Sequence, residues 1–308
     1  MTSATSSDSL VRLHDCRVGA NPIIWSNDDF DDLAYDVPLD TILREMRAAG
    51  FAGSELGHAY PRTAGPLAEA LGRHGLALVS GWHSTYLASK PLAEEEKSFR
   101  AHLNLLKTLG ARVVIVAECT RCIHGDRRAV LGFNGQCTPR LTEAEWPKLV
   151  AGMKHLAAIA AAEEMKVVYH HHMGTVIQAE TDLERLLTAV PELWLLLDAG
   201  HLAFAGIDPV AVARRHAARI AHVHLKSVRP DVAARVKSEG WSFYRAVAHG
   251  VFTVAGDGCV DYPAIFRILA GADYRGWLVV EAEEDPVKVP ALPKAKAARA
   301  YVRAQTGV

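Results

Sequence analysis

The chain has no apolar run long enough to cross a bilayer, so nothing calls for a membrane partner. It has almost no net charge. Thirty-four Lys and Arg stand against 35 Asp and Glu, which leaves −1, and the two signs are interspersed. Such a balance builds no electrostatic footprint for nucleic acid, so none is expected as a partner. Cysteine is scarce, five in 308 residues, and unevenly spaced. That excludes a disulfide framework and suits a reducing, cytoplasmic setting. A GxGxxG turn is missing after the first apolar segment, which removes the best support for a dinucleotide-binding sheet. Cys119-x-x-Cys122 has no second CxxC. Its loop, with His124 and Cys137, therefore reads as a mobile lid with free thiols rather than a structural zinc site. The first nine residues are rich in Ser and Thr without an apolar signal core. Residues 1–12 read as a disordered lead and 13–308 as one domain.

What is present is a core-forming composition, 50% hydrophobic, and a repeated pattern. Short apolar segments fall at 18–25, 53–56, 76–82, 113–117, 166–170, 194–197, 220–225 and 277–280. Between them run helical patterns, at about 39–49, 67–74, 92–109 and 293–305. Gly50, Gly75 and Gly110 stop the first three. Thr142 with Glu145, and Thr181 with Glu184, have capping-box spacing. Asp208-Pro209 and Asp261-Tyr-Pro263 read as helix starts. Strict alternation predicts parallel strands with helical crossovers, and a count of eight favours a closed (β/α)8 TIM barrel in the α/β class. The segments after strands four and seven are long, and an extra short helix is expected near 232–238.

Ligand-type side chains gather at the ends of four neighbouring strands. Strand five ends in His170-His171-His172 and strand six in Asp198, followed by His201. Strand seven carries His222, His224 and Lys226, and strand eight ends in Glu281. Each alone has an ordinary structural explanation: a packed histidine, a capping aspartate, a solvated rim charge. Four in register at one rim form a joint pattern that predicts a metal site of His170, Asp198, His224 and Glu281. Mixed imidazole and carboxylate donors suit Mn²⁺ or Co²⁺ best, with Zn²⁺, Fe²⁺ or Mg²⁺ as further options.

Asp198-Ala-Gly-His201, His222-Val-His224-Leu-Lys226 and the strand ending in Glu281 resemble the xylose isomerase-like barrel superfamily. Within it the chain is similar to the inosose dehydratases. The carrying segments are Asn21-Pro-Ile-Ile-Trp25-Ser-Asn27-Asp28-Asp29, Gly53-Ser-Glu55-Leu-Gly57, His170-His-His172-Met-Gly-Thr175, residues 251–259 with Gly-Asp257-Gly-Cys, and residues 276–283 around Glu281. The resemblance spans about residues 18–302. It puts Asp198, His224 and Glu281 on metal-ligand positions and His201 on a substrate-contact position. The superfamily's usual fifth-strand glutamate is replaced here, which leaves His170 or His172 as the ligand.

The resemblance implies a small-molecule substrate, the cyclic polyol ketone 2-keto-myo-inositol, and loss of water to a trihydroxycyclohexane-1,2-dione. Glu281, His201 and His172 are the candidate acid–base groups. Trp25, Asn27, Asp28, Glu55, His83, Glu118, Lys226 and Asp257 are candidate substrate contacts, although simple turn chemistry explains Asp257 better. The same site would serve a keto-polyol epimerase or isomerase, or an eliminase of 3-keto-glycosides. A DNA-repair barrel would need more ligands and a basic face, and a non-catalytic sugar-binding barrel needs no turnover at all. The resemblance also leaves room for a homo-oligomer.

Overall fold

In the computed structural model, residues 11–13, 15–133 and 138–308 are described. Most of the expected disordered lead, and Cys137, lie outside them. The strands are β1 (Arg17–Ala20), β2 (Gly53–Leu56), β3 (Ala77–Thr85), β4 (Val113–Glu118), β5 (Lys166–His170), β6 (Trp194–Asp198), β7 (Ile220–Val228), β8 (Phe252–Val254) and β9 (Trp277–Val280). Every strand except β8 pairs in parallel with its neighbours, and β7 bonds both β6 and β9, so the sheet closes. The expected barrel of eight parallel strands is present. The ninth strand, β8, adds antiparallel to the far end of β7.

The helices are α1 (Leu39–Ala48), α2 (Ala64–Arg73), α3 (Leu92–Thr108), α4 (Trp146–Ala162), α5 (Glu180–Ala189), α6 (Ala199–Ala205), α7 (Pro209–His216), α8 (Pro230–Glu239), α9 (Phe243–Ala248), α10 (Tyr262–Gly271) and α11 (Ala291–Thr306). Asp208 and Asp261 cap α7 and α10 as expected, each accepting a backbone N–H at 2.9 and 3.0 Å. The extra helix appears as α8. The two capping boxes do not open helices. Thr142 and Glu145 close the turn ahead of α4, where the Thr142 N–H reaches Glu145 Oε2 at 2.7 Å. Thr181 lies inside the first turn of α5, and Glu184 instead pairs with Arg215 and His216.

Period-two alternation sorts each strand between barrel interior and helical shell. Val113, Ile115, Val168 and Leu196 pack inside the barrel, whereas Val114, Val116, Val167 and Leu195 pack against the helices. Near the N-terminal end Trp277 fills the axis over Gly19 and Gly53, where a Cβ would meet its ring at 3.4 and 2.7 Å. The C-terminal ends are polar instead. A register shift opposite Leu195 and Leu196 precedes His222, so that His222, His224 and Lys226 point inward together.

Candidate metal centre and active site

A cavity of about 310 Å³ opens at the C-terminal mouth of the barrel. Its lining includes Glu55, Trp82, His170, His172, His224 and Glu281. That volume lies at the small end of ordinary small-molecule sites.

Local structure explains why donors meet at its floor. Asp198 ends β6 and caps α6, its Oδ1 accepting the His201 N–H at 2.8 Å. The other oxygen, Oδ2, is thereby left toward the barrel axis. There it lies 3.5 Å from His170 Nε2 and 3.4 Å from His224 Nδ1. His170 donates its Nδ1–H to the His171 carbonyl at 2.7 Å, so in the neutral ring Nε2 carries the lone pair. Glu281 Oε2 is 2.5 Å from His224 Nδ1.

Asp198 Oδ2 is buried without a hydrogen-bond partner. Orphaned buried atoms are costly, and donors about 3.4 Å apart are what four ligands at about 2.1 Å around one ion require. The donors of His170, Asp198 and His224 lie within 4.8 Å of one another, so this set fits a divalent ion, with Glu281 beside it. Between the two strand-five histidines, the geometry puts His170 in this group. His172 falls in a separate cluster with His201 and Glu283.

Behind the floor sits a supporting layer. Glu55 accepts from Asn21 Nδ2 at 2.7 Å and from Ser80 Oγ at 2.5 Å, and contacts His222 Nε2 at 2.7 Å. It also lies 3.2 Å from His224 Nε2. A carboxylate on the far nitrogen fixes a histidine's tautomer and orientation. Burial opposes charge on Glu55, but His224 and His222 outweigh it and hold its carboxyl well below the usual range.

Lys226 is fully buried. Its ammonium lies 2.6 Å from Glu281, 2.5 Å from Glu283 and 3.5 Å from Asp198. Burial opposes that charge, yet the three carboxylates keep it above its ordinary value. Gly200 makes way for this side chain: a Cβ there would stand 2.5 Å from Lys226 Cγ. The ammonium also contacts His201 Nε2 at 2.9 Å, within the cluster of His172, His201 and Glu283. It thus brings a positive charge to that cluster.

Several expected contacts are corrected. His83 faces outward on β3, with its ring against Phe99 and His102 of α3, because Trp82 and Ser84 take the inward positions. Glu118 faces outward on β4 and anchors the next loop, accepting from Thr85 Oγ1 at 2.9 Å and Leu87 N at 3.0 Å. Trp25 is buried in the core and donates to Glu45 of α1 at 2.9 Å, since β1 stops at Ala20 and a 3₁₀ turn redirects the chain. Asn27 holds a turn by accepting the N–H groups of Asp29 and Phe30 at 2.8 and 2.9 Å. Asp257 is an exposed turn residue bound to Thr253 and Arg229. His201 does not reach the cavity. Its ring packs behind His172 at a 41° tilt, with centroids 3.9 Å apart, and bonds Glu283 at 3.1 Å.

Asp28, expected with Asn27 among the contacts after the first strand, does line the cavity, whereas the expectations missed Asn21, Asp29, His58, Arg62, His124 and Glu283. Glu283 was readable: it repeats the Glu281 position with period two. The loop residues carry no periodic signal. Among the described residues, Cys119, Cys122 and His124 do not bring three donor atoms together, and both described cysteines are free thiols. No helix is long and apolar enough to cross a membrane among the described residues.

The profile of the xylose isomerase-like TIM barrel family matches residues 36–305. A protein named inosose dehydratase from Geobacillus thermodenitrificans is 42% identical over 294 residues, covering 95% of this chain and 98% of its own. Another of that name, from Clostridium botulinum, is 39% identical with the same coverage. Among solved structures, an L-ribulose 3-epimerase superposes with a TM-score of 0.66 at 18% identity, over 95% of each chain. A D-allulose 3-epimerase from Methylomonas sp. gives 0.65 at 16%, over 94% of this chain and 97% of its own. At that identity the epimerases share the fold alone. The chain belongs to the xylose isomerase-like TIM barrel family, in the branch that holds the proteins named inosose dehydratase.

Proposed function

We propose that this chain is a hydro-lyase that dehydrates 2-keto-myo-inositol to a trihydroxycyclohexane-1,2-dione with one divalent metal ion. The observation that carries it is the 42% identity, over 95% of the chain, to a protein named inosose dehydratase. The donor set on the cavity floor supports the same chemistry. His170, Asp198, His224 and Glu281 would hold the ion, and two imidazoles with two carboxylates suit Mn²⁺ or Co²⁺. When bound, such an ion lowers the cost of negative charge on the ketone and neighbouring hydroxyl oxygens.

His172 is the base we assign for the α-proton. It lines the cavity, and its Nδ1–H is donated to the Met173 carbonyl at 2.8 Å. In the neutral ring that leaves Nε2 with the lone pair. His201, packed behind it, positions the base. The α C–H bond breaks and its electron pair moves onto the carbonyl oxygen. When the carbonyl re-forms, a C=C bond appears between the α and β carbons. The β C–O bond breaks, and the hydroxyl leaves with a proton as water. The resulting enol tautomerises to the diketone. Lys226 balances the charge of Asp198, Glu281 and Glu283 throughout, and Trp82 gives the ring an apolar face.

The reading includes a cytoplasmic setting, supported by free thiols at Cys16, Cys119, Cys122 and Cys259, and it accommodates a homo-oligomer. The test is product analysis by NMR after incubating the Mn²⁺-loaded protein with 2-keto-myo-inositol. The diketone is expected, with loss of turnover on chelation. An epimer instead of the diketone would sink the proposal.

A further inference from the structure

Elimination needs a proton donor for the departing hydroxyl, and the metal centre has none to spare. Glu281 contacts Lys226 and His224, Asp198 faces the ligand cluster, and Lys226 is locked between carboxylates. Of the other ionisable side chains that line the cavity, Asp28 and His58 bond each other at 2.7 Å, Arg62 donates to the Gly57 carbonyl at 3.0 Å and Glu283 is held by Lys226 and His201, which leaves Asp29 after β1 and His124 after β4.

Asp29 lines the cavity and is exposed there. Asn27 fixes its backbone by accepting the Asp29 N–H at 2.8 Å. Among the described residues no donor bonds its carboxylate, which leaves both oxygens for a ligand. His124 is clamped from behind: the Ile123 N–H reaches the Gly174 carbonyl at 2.8 Å. Gly174 passes so close, with φ +75°, that a Cβ there would stand 3.0 Å from the His124 nitrogen. The ring sits edge-on to that of His172, with centroids 5.1 Å apart, and its Nδ1 is buried without a hydrogen-bond partner.

We propose that Asp29 and His124 together supply the proton that the β-hydroxyl takes as its C–O bond breaks. The assignment rests on the dehydratase reading. The hydroxyl oxygen keeps the electron pair of the broken bond, takes the proton and leaves as water. The pair is restored by the proton that His172 removed, passed back through solvent. Electrostatics agree with a proton donor at this place. Desolvation at the cavity wall raises the Asp29 carboxyl to about 6, with His124 and Lys226 pulling it down and Glu283 and Asp28 pushing it up. Burial opposes charge on His124, but Cys122, Asp29 and Glu283 outweigh it and raise its value. His124, with the higher of the two values, is the member that carries the proton when Asp29 is ionised.

The test uses Mn²⁺-loaded enzyme and 2-keto-myo-inositol in D₂O. NMR follows two events, α-hydrogen exchange in the substrate and release of diketone. Asp29→Asn and His124→Gln are each expected to slow diketone release about 100-fold or more, as for a lost general acid. Exchange continues within about threefold of the wild-type turnover, which also shows that the variants are folded. Asp29→Asn should in addition shift the high-pH limb of kcat/KM downward, because His124 loses the charge that favours its protonation, while Glu283, Lys226, Asp28, Cys122 and His172 still face the pair. Diketone release within tenfold of wild type in either variant, or exchange falling in step with it, overturns the assignment. A wild type that yields an epimer overturns the functional reading and this assignment with it.

Discussion

Lys226→Met removes one positive charge from a pocket of three carboxylates while keeping the side chain's length. In the wild type that ammonium is fully buried, 2.6 Å from Glu281, 2.5 Å from Glu283 and 3.5 Å from Asp198. Breaking a buried ion pair by removing one partner costs ~3–5 kcal/mol. Three carboxylates lean on this one group, so the metal-free variant should lose about 5 kcal/mol at pH 7.5. With a urea slope of ~3 kcal/mol/M, the unfolding midpoint falls by about 1.7 M.

The pH dependence has a definite sign. Lys226 is held above its ordinary 10.5, so its contribution is whole below that value and fades only as pH climbs past the folded pKa. Asp198 is held well below its ordinary 3.8. Burial opposes this, but Lys226 and His201 outweigh it. Its contribution is therefore present above 3.8 and lost as pH falls through the folded value. Without Lys226 the carboxylates take up protons more readily, so the deficit of the variant should shrink between pH 7.5 and pH 5. Urea unfolding across that range, with and without Mn²⁺, measures it. A deficit under about 1 kcal/mol, or one indifferent to pH, refutes the charge-balancing role.

Three shorter predictions follow from the same geometry. Chelation should abolish turnover and lower Tm, and Mn²⁺ or Co²⁺ should restore both; Asp198→Asn should not be rescued by added ion. Glu55→Gln should weaken metal affinity about 10–100-fold by loosening His224, read by titration with a competing chelator. Trp25→Phe should cost about 1 kcal/mol in denaturation through the lost bond to Glu45, with kcat/KM within about twofold of wild type.

The sequence made the barrel legible because period and punctuation are local. Eight apolar segments separated by helical patterns need no tertiary information. The floor of the site was legible for the same reason: His170, Asp198 and Glu281 sit at or just beyond strand ends, His224 lies level with Asp198 within β7, and parity sends them inward. Parity also explains the errors. His83 and Glu118 are ligand-type residues at the right height on the wrong face, which the inward phase of Trp82 and Ile115 would have revealed. Trp25 failed because the first strand was read through Asn21-Pro22, where the chain already turns. Asp29 and His124 stayed hidden because loops are placed by long-range contacts. The Gly174 carbonyl that holds the loop of His124 is about fifty residues away, and the Asp31–Arg127 and Asp32–Arg127 pairs join the two loops across more than ninety.

Strand β7 carries His222, His224 and Lys226 on one inward row. These three side chains serve different ends: one braces Glu55, one faces the ligand cluster, one neutralises it. All three share a single reading frame. An inserted residue between Ala221 and His222 that shifted the phase of β7 would turn every one of them toward the shell and send Val223, Leu225 and Ser227 into the cavity. Point substitutions can adjust these functions separately, but an insertion or deletion here cannot spare any of them. Change in this protein's lineage should therefore enter β7 by replacement, and length variation should collect in the segments that follow β4 and β7.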